Sequence, residues 1–281
     1  MRIKHEKSIF KVAVLDLYNG FPNQGMRCIN QILNEFAIIH GVELESCIFD
    51  VRQKSEVPDL SFDAYISTGG PGSPVDSVDE PWEKELFQLF DSIRSYNSAN
   101  EDSKKHLFLI CHSFQLYCRY YNLGKVTKRL STSFGVMPVH MTFSGAYEPF
   151  FEGLEDPFWA VDSRDWQVVQ PDMKQIRSHG GDVLCIEKYR PHVKLERCVM
   201  AMRFDETVFG TQFHPEADAE GMLVHLMEEE RKQDVIRQHG EEKYHSMIEH
   251  LNDPDKIVLT QSTVIPNFLL TALRNKVQIH S

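Results

Sequence analysis

Residues 106–116 read His106-Leu107-Phe108-Leu109-Ile110-Cys111-His112-Ser113-Phe114-Gln115-Leu116. An apolar run typical of a buried strand ends at Cys111, and a helical pattern begins directly after it. A cysteine on a sharp turn between a strand and a helix projects from the edge of the sheet, near the positive end of the helix dipole. Most cysteines at the end of an apolar run are, however, core residues without chemistry. The stretch therefore predicts a strand of a parallel sheet and makes Cys111 a candidate nucleophile.

The chain before this stretch alternates strands and helices. Strands are predicted at residues 11–18, 43–51 and 62–67, and helices at 26–36 and 82–96. The continuous apolar run in the first of these segments is typical of a strand that is buried on both faces. This rhythm predicts an α/β fold with a doubly wound, mostly parallel open sheet of the flavodoxin type. Such sheets place their sites in the loops that follow the carboxyl ends of the strands.

From about Ser133 the pattern changes to shorter strands separated by loops. These strands are predicted at 136–143, 159–161, 182–187, 198–204 and 208–213, and they indicate a small antiparallel extension of the same sheet. A charged helical region, 220–251, follows with a break at Gly240, and its charges indicate either a solvated face or a partner-binding surface. A last short helix is predicted at 265–273, with Pro266 near its start. We expect one domain at 1–219 and a helical extension, 220–281, packed on it.

Composition and charge exclude several classes of function. The 281 residues allow one substantial core, and 41 acidic against 30 basic residues argue against nucleic acid as the main partner. No apolar run has membrane length, and residues 1–11 lack the apolar stretch of a signal peptide, so we expect a cytoplasmic protein without a membrane partner. The six cysteines form no Cys-x-x-Cys pair, and we expect neither a metal site nor a cofactor.

Two further segments could supply partners for a thiol. Gly69-Gly70-Pro71-Gly72 ends a predicted strand, and its unhindered backbone N–H groups could bind an oxyanion. In Gln212-Phe213-His214-Pro215-Glu216, His214 and Glu216 alternate along an extended segment and could project together. A thiol needs a base, and the base needs an orienting acceptor, so cysteine, histidine and glutamate can form a triad. Taken singly, each segment could equally be a tight turn, a core histidine or an acid at a helix N-terminus.

In this order the three segments resemble those of the class I, or triad-type, glutamine amidotransferase family. In that family an oxyanion strand ends in Gly-Gly-Pro-Gly, the nucleophile lies in Gly-x-Cys-x-Gly-x-Gln, and the chain later reads Gln-Phe-His-Pro-Glu. The resemblance covers roughly residues 12–216, and its most specific match is 210–216. Residues 1–219 would then be a class I amidotransferase-like domain.

The resemblance implies an activity and a set of site residues. Cys111 would attack the glutamine side-chain amide to form a γ-glutamyl thioester, which water hydrolyses to glutamate. His214 would act as general base and then as acid toward ammonia, with Glu216 orienting it. The substrate-binding residues would be Gly70, Gly72, His112 and Gln115: the N–H groups of Gly70 and His112 would form the oxyanion hole, and Gln115 matches the glutamine that helps to hold the substrate.

The chain departs from the family at two positions of the nucleophile motif. Where the family has glycine two residues before and two after the cysteine, this chain has Leu109 and Ser113. Either the helix after Cys111 then lies further from the strand, or the turn is distorted and hydrolysis is weak.

The use of the ammonia is a second open point. The family domain normally feeds a synthetase, but this sequence has no nucleotide-binding loop, and 217–281 is too short for a synthase domain. The protein could be a separate glutaminase subunit with a synthetase partner, a stand-alone hydrolase of another γ-glutamyl amide, or a catalytically silent binding protein. A homoserine acyltransferase shares the fold and triad type, but its resemblance to this chain is weaker.

Overall fold

A nine-stranded mixed sheet forms the centre of the computed structural model, which describes residues 9–191, 194–251, 253 and 255–279. The strands are β1 (Phe10–Asp16), β2 (Leu44–Asp50), β3 (Ala64–Ser67), β4 (His106–Ile110), β5 (Lys125–Met141), β6 (Phe158–Val169), β7 (Asp182–Glu187), β8 (Val199–Arg203) and β9 (Val208–Thr211). The helices are α1 (Gly25–His40), α2 (Val51–Lys54), α3 (Pro81–Ala99), α4 (His112–Tyr120), α5 (Met173–Ser178), α6 (Ala219–Met227), α7 (Glu229–His239), α8 (Glu241–Leu251) and α9 (Ile257–Ile279).

The strand order across the sheet is β2-β1-β3-β4-β9-β8-β7-β5-β6. The first five strands pair in parallel, and the pairs from β9 to β6 are antiparallel. This arrangement confirms the predicted α/β sheet with its antiparallel extension. It also brings the carboxyl ends of β3, β4 and β9 side by side, which is where the candidate site residues follow.

The parallel strands other than the edge strand β2 are buried on both faces because helices cover each side of the sheet. Phe10, Val12 and Val14 pack in one core with apolar residues of α1 and α9. Ala13 and Leu15, which alternate with them, pack in a second core with residues of α3 and α4. The continuous apolar run of β1 is thus explained by a strand between two apolar layers.

The prediction of short strands after Ser133 was wrong for β5 and β6. These two strands span 17 and 12 residues and pair along most of their length, with a register shift between Lys128 and Ser133. β6 continues through two buried charged residues, Asp162 and Arg164, which pair with each other at 2.7 Å between Oδ1 and Nε. Charged residues normally indicate a loop, but their mutual pairing allows both to lie inside the sheet.

The C-terminal helices also differ from the prediction. The expected break at Gly240 is present, and a second break at Glu228 separates α6 from α7. The last helix is 23 residues long and contains Pro266 well inside it, not near its start. Proline removes a helix hydrogen bond and costs about 3 kcal/mol in a helix interior. Burial of Phe268 and Leu269 in the core beneath the sheet offsets that cost.

Among the residues that the structure describes, no helix has both the length and the apolar character that crossing a membrane would require.

Candidate active site

Cys111 lies on the turn between β4 and α4 in a strained backbone conformation. Its φ is 46° and its ψ is −94°, outside the regions that residues with a side chain readily adopt. The Cys111 N–H donates to the carbonyl of Thr211 at 2.7 Å, which fastens the turn to the end of β9. Such strain persists only when the surrounding structure holds it, and it projects the side chain from the sheet edge.

Ser113, at the second departure from the family motif, fastens the same turn to β3. Its buried hydroxyl donates to the Ser67 carbonyl at 2.7 Å and accepts from the Ile110 N–H at 2.9 Å. The serine that stands where the family has glycine therefore makes one hydrogen bond to β3 and one within the turn.

The side chain of Leu109, at the first departure from the family motif, fits because the residue beside it in the neighbouring strand is glycine. It pairs with Gly210 of β9, and a Cβ added to that glycine would lie 3.3 Å from the Leu109 Cβ and 2.7 Å from Cδ2 of Phe114. The absent side chain of Gly210 thus leaves room for both apolar groups. Each departure has a local accommodation in this fold.

His214 and Glu216 meet as the sequence predicted. The His214 N–H donates to the Val161 carbonyl at 2.8 Å, and its Nδ1 lies 2.8 Å from Oε1 of the buried Glu216. Because a carboxylate only accepts, Nδ1 carries the hydrogen and Nε2 is left for a second partner.

The imidazole of His214 lies beside the side chain of Cys111, on the same side of Gly69. A Cβ added to Gly69 would be 2.8 Å from the His214 Cε1 and 3.6 Å from the Cys111 Cβ. The structure therefore brings the three proposed triad residues together.

The electrostatics of the site favour a protonated His214. Burial alone opposes its positive charge, but the Glu216 carboxylate and the Cys111 side chain outweigh burial and raise the pKa of His214 well above its ordinary value of 6.5. His112, the next residue after Cys111, behaves oppositely: burial, Arg52 and Arg119 lower the pKa of His112 to about 3, so its ring stays neutral.

Four other thiols are poorly suited to reaction. Burial raises the pKa of Cys28, Cys118, Cys185 and Cys198. Because the thiolate is the nucleophilic form, these cysteines have little reactive species at neutral pH.

The glycine turn after β3 needs its glycines for close packing as well as for its N–H groups. A Cβ on Gly70 would lie 2.4 Å from the Leu17 carbonyl oxygen, and Gly72 has a φ of 93°. Arg52 donates to the Pro71 carbonyl at 2.6 Å, and Arg119 donates to the carbonyl of Pro74. Two guanidinium groups therefore hold the turn in place.

A cavity of about 690 Å³ joins these features. It is lined by every site residue proposed from the sequence: Gly70, Gly72, Cys111, His112, Gln115, His214 and Glu216. Gly221 and Met222 of α6 form part of its wall, so the helical extension contributes to the cavity.

Two residues at the site were not proposed from the sequence. Tyr18, in the loop after β1, donates its hydroxyl to Glu216 Oε1 at 3.5 Å, and Gln212 donates from Nε2 to the Cys111 sulfur at 3.6 Å. The sequence contained an indication of Gln212, because it precedes His214 by two positions, and in the extended segment that was predicted there the two residues would share a side.

Solved structures with the same fold include glutamine amidotransferases. A glutamine amidotransferase from Thermotoga maritima has a TM-score of 0.62 at 14% identity, covering 94% of this chain and 98% of that one. A putative GMP synthase subunit from Thermoplasma acidophilum has a TM-score of 0.59 at 15% identity, covering 98% and 99%. The glutaminase domain of Trypanosoma brucei CTPS, with bound acivicin, has a TM-score of 0.53 at 14% identity, covering 74% and 86%.

By sequence, the chain matches no family profile and no curated protein. The structural likeness confirms the amidotransferase-like fold that the sequence motifs predicted.

Proposed function

We propose that this protein hydrolyses the side-chain amide of glutamine, or of another γ-glutamyl amide, with Cys111 as its nucleophile. The observation that carries the proposal is the position of His214, hydrogen-bonded to Glu216 at 2.8 Å and adjacent to Cys111 in one cavity. The fold shared with glutamine amidotransferases supports a glutamine-type amide as the substrate.

The reaction would proceed in two halves. The Cys111 thiol gives its proton to Nε2 of neutral His214, which yields the protonated imidazole that the site favours. The sulfur then attacks the amide carbon, and the carbonyl electron pair moves to oxygen. Backbone N–H groups of Gly70 and His112 stabilise that oxyanion. The oxyanion collapses, the C–N bond breaks, and His214 returns the proton to the leaving nitrogen, which departs as ammonia.

The second half regenerates the thiol. His214 removes a proton from water, and the resulting hydroxide attacks the γ-glutamyl thioester. The C–S bond breaks, the sulfur recovers a proton, and glutamate leaves. Glu216 keeps the imidazole oriented throughout, and the substrate rests against Gly72 and Gln115, which line the cavity.

For the ammonia we propose delivery to a separate synthetase partner, which the likeness to a putative GMP synthase subunit supports. One observation favours the second candidate, a stand-alone hydrolase of larger γ-glutamyl amides. The cavity of about 690 Å³ is of the size that holds drug-sized ligands, which are larger than glutamine.

We also propose that 220–281 is an extension of the domain formed by 1–219 and not a separate domain. Two contacts support this division: α6 lines the cavity, and α9 contributes Phe268 and Leu269 to the core beneath the sheet.

Acivicin labelling followed by peptide mapping tests the nucleophile. We expect modification of Cys111 alone, although it is only 5% exposed while Cys47 on β2 is half-buried. Labelling of Cys111 in preference to the more accessible Cys47 would show that the Cys111 thiol reacts because it is activated and not because it is exposed. Cys111→Ser should abolish glutamate release without changing the urea unfolding curve, whereas the control variant Cys47→Ser should keep full activity.

Labelling of several cysteines, or glutamate release by Cys111→Ser, would contradict the proposal. A protein that neither reacts with acivicin nor releases glutamate would be a silent binding protein.

To separate the two enzyme candidates, turnover of glutamine and of γ-glutamyl alkylamides is compared with and without co-purifying proteins. A low basal glutaminase rate that a partner stimulates indicates the glutaminase of a larger complex, and faster turnover of the alkylamides indicates the stand-alone hydrolase.

A further inference from the structure

We propose that Gln212 is a further catalytic residue, whose side-chain amide binds the sulfur of Cys111, and that Gln115 is the positioning residue that holds Gln212 in place. The inference rests on the function proposed above, because it concerns the same nucleophile.

Three hydrogen bonds form a chain that ends at the sulfur. The Gln115 Nε2 donates to the Trp166 carbonyl at 3.1 Å and to the Gln212 Oε1 at 3.2 Å. The Gln212 Nε2 then donates to the Cys111 Sγ at 3.6 Å. Gln115 and Gln212 are 2% and 0% exposed, so water does not compete for these bonds.

The donor-to-acceptor direction of these three hydrogen bonds is set by the first acceptor, the Trp166 carbonyl. A backbone carbonyl can only accept, so the group of Gln115 that faces Trp166 must be its nitrogen. That same nitrogen faces Gln212, which must therefore present its oxygen to Gln115. The nitrogen of Gln212 is then the group that faces Cys111. The assignment of both amides thus depends on one carbonyl and not on a choice between equivalent atoms.

An N–H group aimed at the sulfur stabilises the thiolate more than the thiol. Other groups near the sulfur are His214, which Glu216 contacts, Tyr18 from the loop after β1, and the Ser163 carbonyl of β6, which lies 3.9 Å from Sγ. Of these, only a protonated His214 favours the thiolate, and it gives up its proton when the leaving group departs. Gln212 is a neutral donor that stays in place through both halves of the reaction.

This chain of hydrogen bonds changes the role expected of Gln115. Its amide nitrogen is committed to Trp166 and Gln212, which leaves only Oε1 for a bound substrate. Its effect on the nucleophile passes through Gln212.

The test is the pH dependence of Cys111 alkylation by iodoacetamide, a neutral electrophile, with the modified thiol identified by peptide mapping. In Gln212→Met the side chain keeps its length and loses its donor. We expect the midpoint of the rate–pH curve to move upward by about one pH unit, and kcat for glutamine to fall about tenfold with KM within about twofold. Gln115→Met should move the midpoint in the same direction by less. The double variant should exceed Gln212→Met by little, because the two residues act in series.

Gln175→Met is the matched control, since Gln175 donates to the Tyr121 carbonyl at 2.9 Å away from the cavity. It should leave the midpoint unchanged. An unmoved midpoint in folded Gln212→Met would overturn the inference, and if that variant does not fold, an unmoved midpoint in Gln115→Met would do so. Alkylation requires no amide hydrolysis. A shifted midpoint in a protein that hydrolyses neither glutamine nor another γ-glutamyl amide would therefore refute the proposed function and, with it, the catalytic role of Gln212. It would leave standing only the effect of the Gln212 amide on the Cys111 sulfur.

Discussion

The proposed triad depends on the absence of a single Cβ as much as on its three side chains. Gly69 leaves the space that the His214 ring occupies next to Cys111. In the motif Gly-Gly-Pro-Gly this first glycine was interpreted only as part of an oxyanion turn. Its neighbours show a second requirement, which is room for the His214 ring.

Gly69→Ala should therefore damage catalysis more than stability. The new Cβ would lie 2.8 Å from the His214 Cε1 and force the imidazole to move, whereas its distance of 3.6 Å from the Cys111 Cβ is an ordinary contact. Misplacement of a reacting group by about 1 Å costs roughly 100-fold in rate, so we expect a loss of that order in kcat. Glutamate release and urea unfolding measured on the same preparation check this, and a variant with wild-type kcat would refute the proposed contact.

Helix α6 forms part of the wall of the cavity. Asp218 caps its N-terminus by accepting from the Gly221 N–H at 2.7 Å, and the same carboxylate accepts two bonds from the Arg27 guanidinium at 2.7 and 2.8 Å. This side chain therefore joins α6 to α1 at the wall of the cavity.

Asp218→Ala should loosen that wall. We expect the free energy of unfolding to fall by about 1–2 kcal/mol, since a helix cap and a partly exposed ion pair are lost, and KM for glutamine to rise several-fold. Asp172→Ala is the control, because Asp172 caps α5 by accepting from the Gln175 N–H at 3.0 Å, outside the cavity. Its stability should fall by a similar amount with KM unchanged. An equal rise of KM in both variants would show that the effect on KM comes from stability alone.

The strands and helices that could be predicted from the sequence are those whose apolar pattern fits only one type of secondary structure. The runs in β1 and β4 are buried on both faces and indicate a parallel sheet directly. The length of β6 was missed because Asp162 and Arg164 satisfy each other inside the sheet, which a pattern of single residues does not show. α9 was placed too late because Pro266 normally belongs to the first turn of a helix.

At the candidate site, motif spacing was sufficient to select the three residues of the proposed triad and insufficient to select the residues that contact them. The sequence predicted that His214 and Glu216 would meet by alternation along an extended segment. They do meet, but on a turn that follows the isolated bridge of His214 to β6, because β9 ends at Thr211. Tyr18 reaches Glu216 across 198 positions of sequence, and only the folded sheet brings them together. Gln212 had the right spacing, but its role needs Trp166 and Gln115 to fix the direction of its amide.

On the scale of the whole molecule, α9 attaches the end of the chain to the middle of the sheet. The Asn275 amide nitrogen lies 2.8 Å from Nε2 of His106 on β4, and the Lys276 ammonium lies 2.6 Å from the Asp63 carboxylate. Burial lowers the pKa of His106 to about 4, so its ring is neutral in the native protein and Nε2 accepts from Asn275.

Acid should weaken this attachment. Below the ordinary histidine pKa of 6.5 the unfolded chain binds a proton that folded His106 does not bind until about pH 4. Stability is therefore full above pH 6.5 and is lost as the pH falls toward 4, by up to about 3 kcal/mol from this group. His106→Gln should lose less stability than wild type between pH 7 and pH 5 in urea titrations. The exposed His245→Gln should behave like wild type, and parallel losses in all three proteins would contradict the assignment.

The position of β9 has a consequence for how the protein matures. β4 pairs in parallel with a strand about one hundred residues later, Phe108 opposite Phe209, and such non-local pairing is slow to form. A ribosome releases the amino-terminal strands first, so Cys111 emerges before the chain contains its base or the Thr211 carbonyl that holds its turn. The proposed catalytic site is consequently incomplete until the centre of the sheet closes. In a refolding experiment, the return of the proposed amide-hydrolysing activity would time that closure.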